Sequence, residues 1–139
     1  PNKMGADGID EKTGRLKEVK PVRKVNKKAG HSGNFNDLTL NLLEKKKDYD
    51  IVCSLFNNLR FVYIIEFPMS TIYEKLKKPI INAKLGKRVV CHFNYKDYDC
   101  NELKVHYLNE ELVHTSVSKN HATILLRQYY ANTDWKFSQ

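Results

Sequence analysis

Long apolar runs are missing from this chain of 139 residues. The longest, Phe61 to Ile65, has the length of a strand and falls well short of the roughly 20 residues that span a bilayer as a helix. Cysteine is scarce as well. Cys53, Cys91 and Cys100 cannot all pair within one chain and form no CxxC, which excludes a disulfide framework and points to reduced thiols in an intracellular protein. No signal peptide is visible. The chain opens Pro1-Asn2-Lys3-Met4 instead of on Met, so it reads as a piece lacking upstream residues. Internal repeats, a Gly-rich phosphate loop, a nucleophile elbow and HExxH are all absent, which removes several nucleotide-binding and hydrolase classes. Acidic residues are outnumbered: 16 Asp and Glu face 24 Lys and Arg, a net charge of +8. With 41% apolar residues the chain can build a real core, so it is no disordered polycation. Such a surplus on one folded domain, residues 1–139, favours a polyanionic partner such as nucleic acid. The plainer alternative is charge that only maintains solubility.

Patterning divides the chain into alternating segments. Residues 4–10 and 15–23 read as two strands around the turn Glu11-Lys12-Thr13-Gly14, where Gly suits a left-handed position. Residues 24–36 have Gly breaks and no periodicity, and are expected to form a flexible basic loop. Asn36 is then the expected N-cap of a helix to about Lys47, with Leu38, Leu42 and Leu43 as its buried stripe. Strands are expected over 50–57 and 60–67. The second is nearly all apolar, as in a central strand covered on both faces. Ser70 would cap a helix over 71–77, ended by Pro79. Strands over 87–94 and 102–108 form a further hairpin around Asp97-Tyr98-Asp99, and a helix covers about 120–131. Six strands and three helices of this kind predict an α+β fold, a mixed central sheet with antiparallel hairpins flanked by helices.

The chemistry concentrates in the first hairpin. Glu18 and Lys20, two residues apart on a strand, project from one face roughly 7 Å apart. A symmetric four-residue turn sets Asp7 opposite Glu18, whereas a three-residue bulged turn sets Asp7 opposite Val19, and both registers are open. Two carboxylates face to face repel unless a cation lies between them. Mg²⁺ would serve, since it takes hard oxygen ligands: Asp7, Glu18 and the Val19 carbonyl, with a phosphate oxygen and waters beyond. Bound there it would polarise the phosphate and acidify a water. Lys20 would orient that water and offset charge on the phosphate. A charged hairpin with one solvated face is the alternative without chemistry. Asp10, beside the turn, is better read as a turn-forming residue than as a ligand.

Gly5-Ala6-Asp7-Gly8-Ile9-Asp10, ten residues between Asp7 and Glu18, and then Glu18-Val19-Lys20 resemble the PD-(D/E)xK nuclease superfamily, to which many restriction endonucleases belong. The resemblance covers about the first 25 residues. Beyond them only the order hairpin, helix, strand, strand, helix is similar. It implies a restriction endonuclease-like core and a Mg²⁺-dependent endonuclease of type II restriction kind, with Mn²⁺ able to substitute. Such an enzyme cuts double-stranded DNA by in-line attack, leaving 3′-hydroxyl and 5′-phosphate. Asp7 and Glu18 would be metal ligands and Lys20 the catalytic lysine. A homodimer would cut both strands. A Glu that the family often carries on a preceding helix has no counterpart here.

Between Lys17 and Lys28, six cations face the single carboxylate of Glu18. Arg23, Lys24, Lys27 and Lys28 would grip the phosphate backbone, and His31 and Asn34 are candidates for base or phosphate contacts. A solvated loop is the plainer account. Lys45-Lys46-Lys47, like the other basic clusters, suits a helix C-terminus answering its dipole. Glu66, inside an apolar strand, is either a more distant acid of the site or a paired structural carboxylate. Cys91, His92 and Cys100 fit no usual zinc spacing. Tyr95, Tyr98, Tyr107, Tyr129 and Tyr130 could stack on bases or pack across strands. A non-catalytic nucleic-acid-binding module remains the main alternative function, and a structural subunit with an acidic protein partner a third.

Overall fold

Asp10 sets the first turn. Its Oδ1 accepts the backbone N–H groups of Lys12 and Thr13 at 2.8 and 3.2 Å, and its own N–H donates to the Arg15 carbonyl at 2.8 Å. Gly14 ends the turn at φ 74°, where a Cβ would strain the backbone. The structure, a computed structural model, describes residues 6–24, 32–83 and 89–137, with side chains over 6–22, 33–83 and 89–131. Strand β1 is only Gly8–Ile9, shorter than the predicted 4–10, and pairs antiparallel with β2, Leu16–Lys24. Gly8 faces Lys17 and Ile9 faces Leu16, so the four-residue turn is the one formed.

The chain continues through β3 (Ser32–Leu38), α1 (Leu40–Lys46), β4 (Asp50–Asn57), β5 (Arg60–Pro68) and a 3-10 turn (Met69–Thr71). It ends through α2 (Tyr73–Asn82), β6 (Val89–Asn94), β7 (Lys104–Leu108), α3 (Glu110–Ser116) and α4 (Lys119–Phe137). The fold is α+β. A five-stranded mixed sheet runs β1-β2-β4-β5-β7, with β2 and β4 parallel and the other pairs antiparallel. A parallel pair needs a crossover, and β3 with α1 supplies it. β3 and β6 form a separate two-stranded antiparallel sheet. Among the described residues no helix is long and apolar enough to cross a membrane.

Register decides which face of the main sheet is core, because directly paired residues share a face. One set of rows reads Glu18–Ile51–Phe67, Lys20–Cys53–Ile65–Val105 and Val22–Leu55–Tyr63–Leu108. Its apolar members are buried, apart from the half-buried Val22. The small sheet packs on this face: Phe93 meets Phe35 at 6.1 Å and Phe67 at 5.8 Å between ring centroids, and Phe67 stacks on Tyr98 at 4.9 Å. α4 covers the far end, where His121 donates or accepts at Tyr98 Oη (2.5 Å) and lies edge-on to Tyr63. The opposite rows, Lys17–Asp50–Pro68 and Val19–Val52–Glu66–Lys104, look out on a cleft or on solvent. The expectation that β5 is covered on both faces therefore fails: it is central, yet Glu66 and Ile64 remain half-exposed.

Several boundaries differ from the sequence reading. The predicted loop over 24–36 gives way to strand from Ser32, since Gly33 and Phe35 pack inward against β6. Thr39, not Asn36, caps α1, its hydroxyl accepting from the Leu42 N–H at 3.3 Å. Asn36 lies in β3 instead. Leu38 and Leu43 are buried, but Leu42 is exposed. α2 continues to Asn82 through Pro79, and Ser70 lies in the 3-10 turn without capping it. The strands expected as one hairpin, over 87–94 and 102–108, separate into different sheets. α3 was not anticipated, although Asn109 caps it by accepting from Leu112 N–H and Glu110 and Glu111 follow in the first turn, the ordinary signals of a helix start.

Candidate functional site

Among the described residues β1 pairs with β2 over two residues, and Asp7 lies beyond that pairing. Asp7 bonds that edge. Its N–H donates to the Lys17 carbonyl at 2.9 Å, and its carboxylate Oδ2 accepts the Val19 N–H at 2.9 Å. In an extended strand the N–H and C=O of a residue point the same way, so the Val19 carbonyl shares this edge with Asp7. Asp7 itself is exposed. The paired ladder stops at Gly8 and Lys17, one residue short of Asp7.

Glu18 points the other way from the Val19 side chain, into the core face. Its side chain is only 9% exposed, and a buried charge needs partners. Lys46 Nζ lies 3.0 Å from Oε1 and Lys20 Nζ 3.4 Å from Oε2. Lys20 also rests over the Phe35 ring, 4.2 Å from its centroid, a favourable cation–π position. Asp7 is thus answered by a backbone N–H and Glu18 by two ammonium groups.

Asp7 thus bonds the backbone of Val19, and Lys20 pairs with Glu18 on the inner face. Lys46 and Phe35 complete the cluster and were not singled out from sequence. Lys46 follows buried Leu43 by three residues, a spacing that shares a helix face, and that signal was available. The donor set suits a hard cation: two carboxylates and a carbonyl, all oxygen. Among the described residues no three His, Cys, Asp or Glu side chains converge on one point, and the arrangement implied by the motif needs only two.

The proposed DNA contacts fare unevenly. Arg23 and Lys24 end β2, paired with Phe56 and Asn57. Lys27, Lys28 and His31 lie outside the described residues. Asn34 is exposed in β3, where its amide donates to Asn36 Oδ1 at 3.2 Å. Lys17, counted in the same basic run, faces away: it pairs with Asp50 Oδ2 at 3.0 Å and with Glu66. Arg15 makes a two-pronged contact with Asp50 (2.8 and 3.0 Å), and His106 Nε2 lies 2.7 Å from Glu66. These groups line a cleft of about 630 Å³ on the outer face. Burial pushes the Asp50 and Glu66 carboxyls up, but hydrogen bonds from Arg15 and Lys17, and from Lys17 and His106, outweigh it and hold both below their ordinary values. Glu66 is thus a paired carboxylate across the sheet from Glu18.

Cys91 is buried and His92 exposed on alternate sides of β6, while Cys100 lies by Thr71 Oγ1, so the three do not gather. Burial drives the Cys53 thiol up to about 12, which leaves it an inert core residue. Tyr98 is 2% exposed and cannot stack on a base, and Tyr95 stacks on His121 at 4.9 Å. Tyr107 and Tyr130 are exposed. No protein-family model and no curated protein matches the chain.

Proposed function

We propose that this protein is a Mg²⁺-dependent endonuclease of double-stranded DNA, of the type II restriction kind. One observation supports the reading: Asp7 bonds the Val19 N–H beside Glu18, which pairs with Lys20, on a hairpin followed by a crossover to a parallel strand. A Mg²⁺ ion held by the Asp7 and Glu18 carboxylates and the Val19 carbonyl would polarise a phosphate oxygen and lower the pKa of water. Asp7 is exposed, with its Oδ2 on the Val19 N–H. Lys20 keeps its ammonium beside Glu18 and over Phe35, where it offsets charge building on the phosphate and donates to the attacking water. The net charge of +8 supplies the long-range attraction to DNA.

The test is supercoiled plasmid incubated with the protein in Mg²⁺ and in chelator. Cleavage in Mg²⁺ alone is expected, abolished in Glu18→Gln and Lys20→Met, with DNA binding retained in a mobility-shift assay. Wild-type cutting by either variant would sink the assignment. The second reading, a non-catalytic nucleic-acid-binding module, draws on the full pairing of Glu18 by two lysines. It predicts salt-dependent binding with no cleavage in any metal.

A further inference from the structure

Among the described residues Glu18 is approached by two cations, and of these only Lys20 belongs to its own strand. Lys46 reaches it from the last turn of α1, three residues beyond Leu43, which is fully buried and anchors that helix face. The Lys46 ammonium lies 3.0 Å from Oε1, closer than Lys20 lies to Oε2 at 3.4 Å. Lys46 is 18% exposed and Glu18 9%, so solvent ions screen the pair little. Lys20 shares its charge with the Phe35 ring, whereas Lys46 has no other partner among the interactions of the described residues. A hard divalent cation takes carboxylate oxygens, and an ammonium at hydrogen-bond distance from one of them repels it at short range.

We infer that Lys46 is a positioning residue: it holds the Glu18 carboxylate in the metal-free protein and competes with the divalent cation for it, setting the metal concentration at which the site fills. This rests on the reading of Asp7, Glu18 and Lys20 as a metal-dependent site. Lys46 takes no part in the chemistry itself. It acts through Glu18, and its charge is what matters.

The experiment titrates Mn²⁺ into the full chain by calorimetry, without DNA, for the wild type and for Lys46→Met, Lys46→Gln, Lys46→Arg and Glu18→Gln. Removing the positive charge in the Met and Gln variants is expected to tighten Mn²⁺ binding about tenfold. Lys46→Arg keeps the charge and is expected to bind as the wild type does, and Glu18→Gln to lose the binding. The Mg²⁺ concentration giving half-maximal plasmid cleavage should fall in parallel for Met and Gln. If Met and Gln bind Mn²⁺ no tighter than the wild type, or if Arg behaves as Met does, the role of Lys46 is overturned while the site stands. If the wild type binds no Mn²⁺, or Glu18→Gln binds it as tightly, the metal-site reading itself fails and this inference with it.

Discussion

Lys17→Met is the sharpest test of how the sheet holds the motif strand. Lys17 precedes Glu18 and ties β2 to β4 through Asp50 and to β5 through Glu66. Its side chain is 18% exposed and each carboxylate 13%. Exposed pairs contribute about 0.2–1 kcal/mol, and breaking a fully buried pair costs about 3–5 kcal/mol. The outer cleft admits water, and Arg15 and His106 stay on the two carboxylates after the change, so the cost lies between these limits, about 2 kcal/mol. With a urea slope of roughly 2 kcal/mol per molar, the unfolding midpoint at pH 7 should drop by about 1 M. The difference should depend on pH. Asp50 and Glu66 have folded pKa values below their ordinary 3.8 and 4.5, so their stabilisation is present above those values and is lost as pH falls through the lowered ones. Lys17 carries its proton throughout this range. The gap between wild type and variant should therefore narrow near pH 3. A midpoint shift below about 0.3 M, or the same gap at pH 7 and pH 3, would refute the reasoning.

Two further changes test the corrected elements by urea unfolding. Thr39→Ala should cost about 1 kcal/mol by removing the α1 cap, while Asn36→Ala should stay within about 0.5 kcal/mol; the reverse order would restore Asn36 as the cap. Gly33→Ala would drive a Cβ into the Phe93 ring, which sits between Phe35 and Phe67 with 1% exposure, and should cost about 1–3 kcal/mol. A neutral result would mean that the small sheet does not pack this tightly on the main one.

Local chemistry was legible without the fold. A turn ending at Gly14 was plain in sequence, but its length was not, and the Gly8–Lys17 and Ile9–Leu16 pairing decided for four residues. Strand alternation then puts Glu18 and Lys20 on one face. The strands over 50–57 and 60–67 were equally plain, since hydrophobic β-branched runs closed by Asn57-Asn58 and Pro68 carry their own boundaries. Caps were in principle as legible, and Asn109 shows that the signal was present where α3 went unread.

Long-range pairing was not legible, because it depends on which faces meet and not on what precedes them in the chain. Periodicity cannot say that β6 leaves β7 to pair with β3, or that Phe35 and Phe93 carry the small sheet onto Phe67. The split of the basic run was hidden for the same reason. Lys17 and Lys20 look alike in sequence, yet parity sends Lys17 to Asp50 and Glu66 on the outer face and Lys20 to Glu18 and Phe35 on the inner one. Lys46 reads in sequence as a helix-end charge, and only the fold brings it to Glu18. The sequence by itself determined which residues could form the site and their order along the hairpin. Only the tertiary structure decided which cations reach Glu18, because a buried carboxylate takes its partners from whatever elements pack against it.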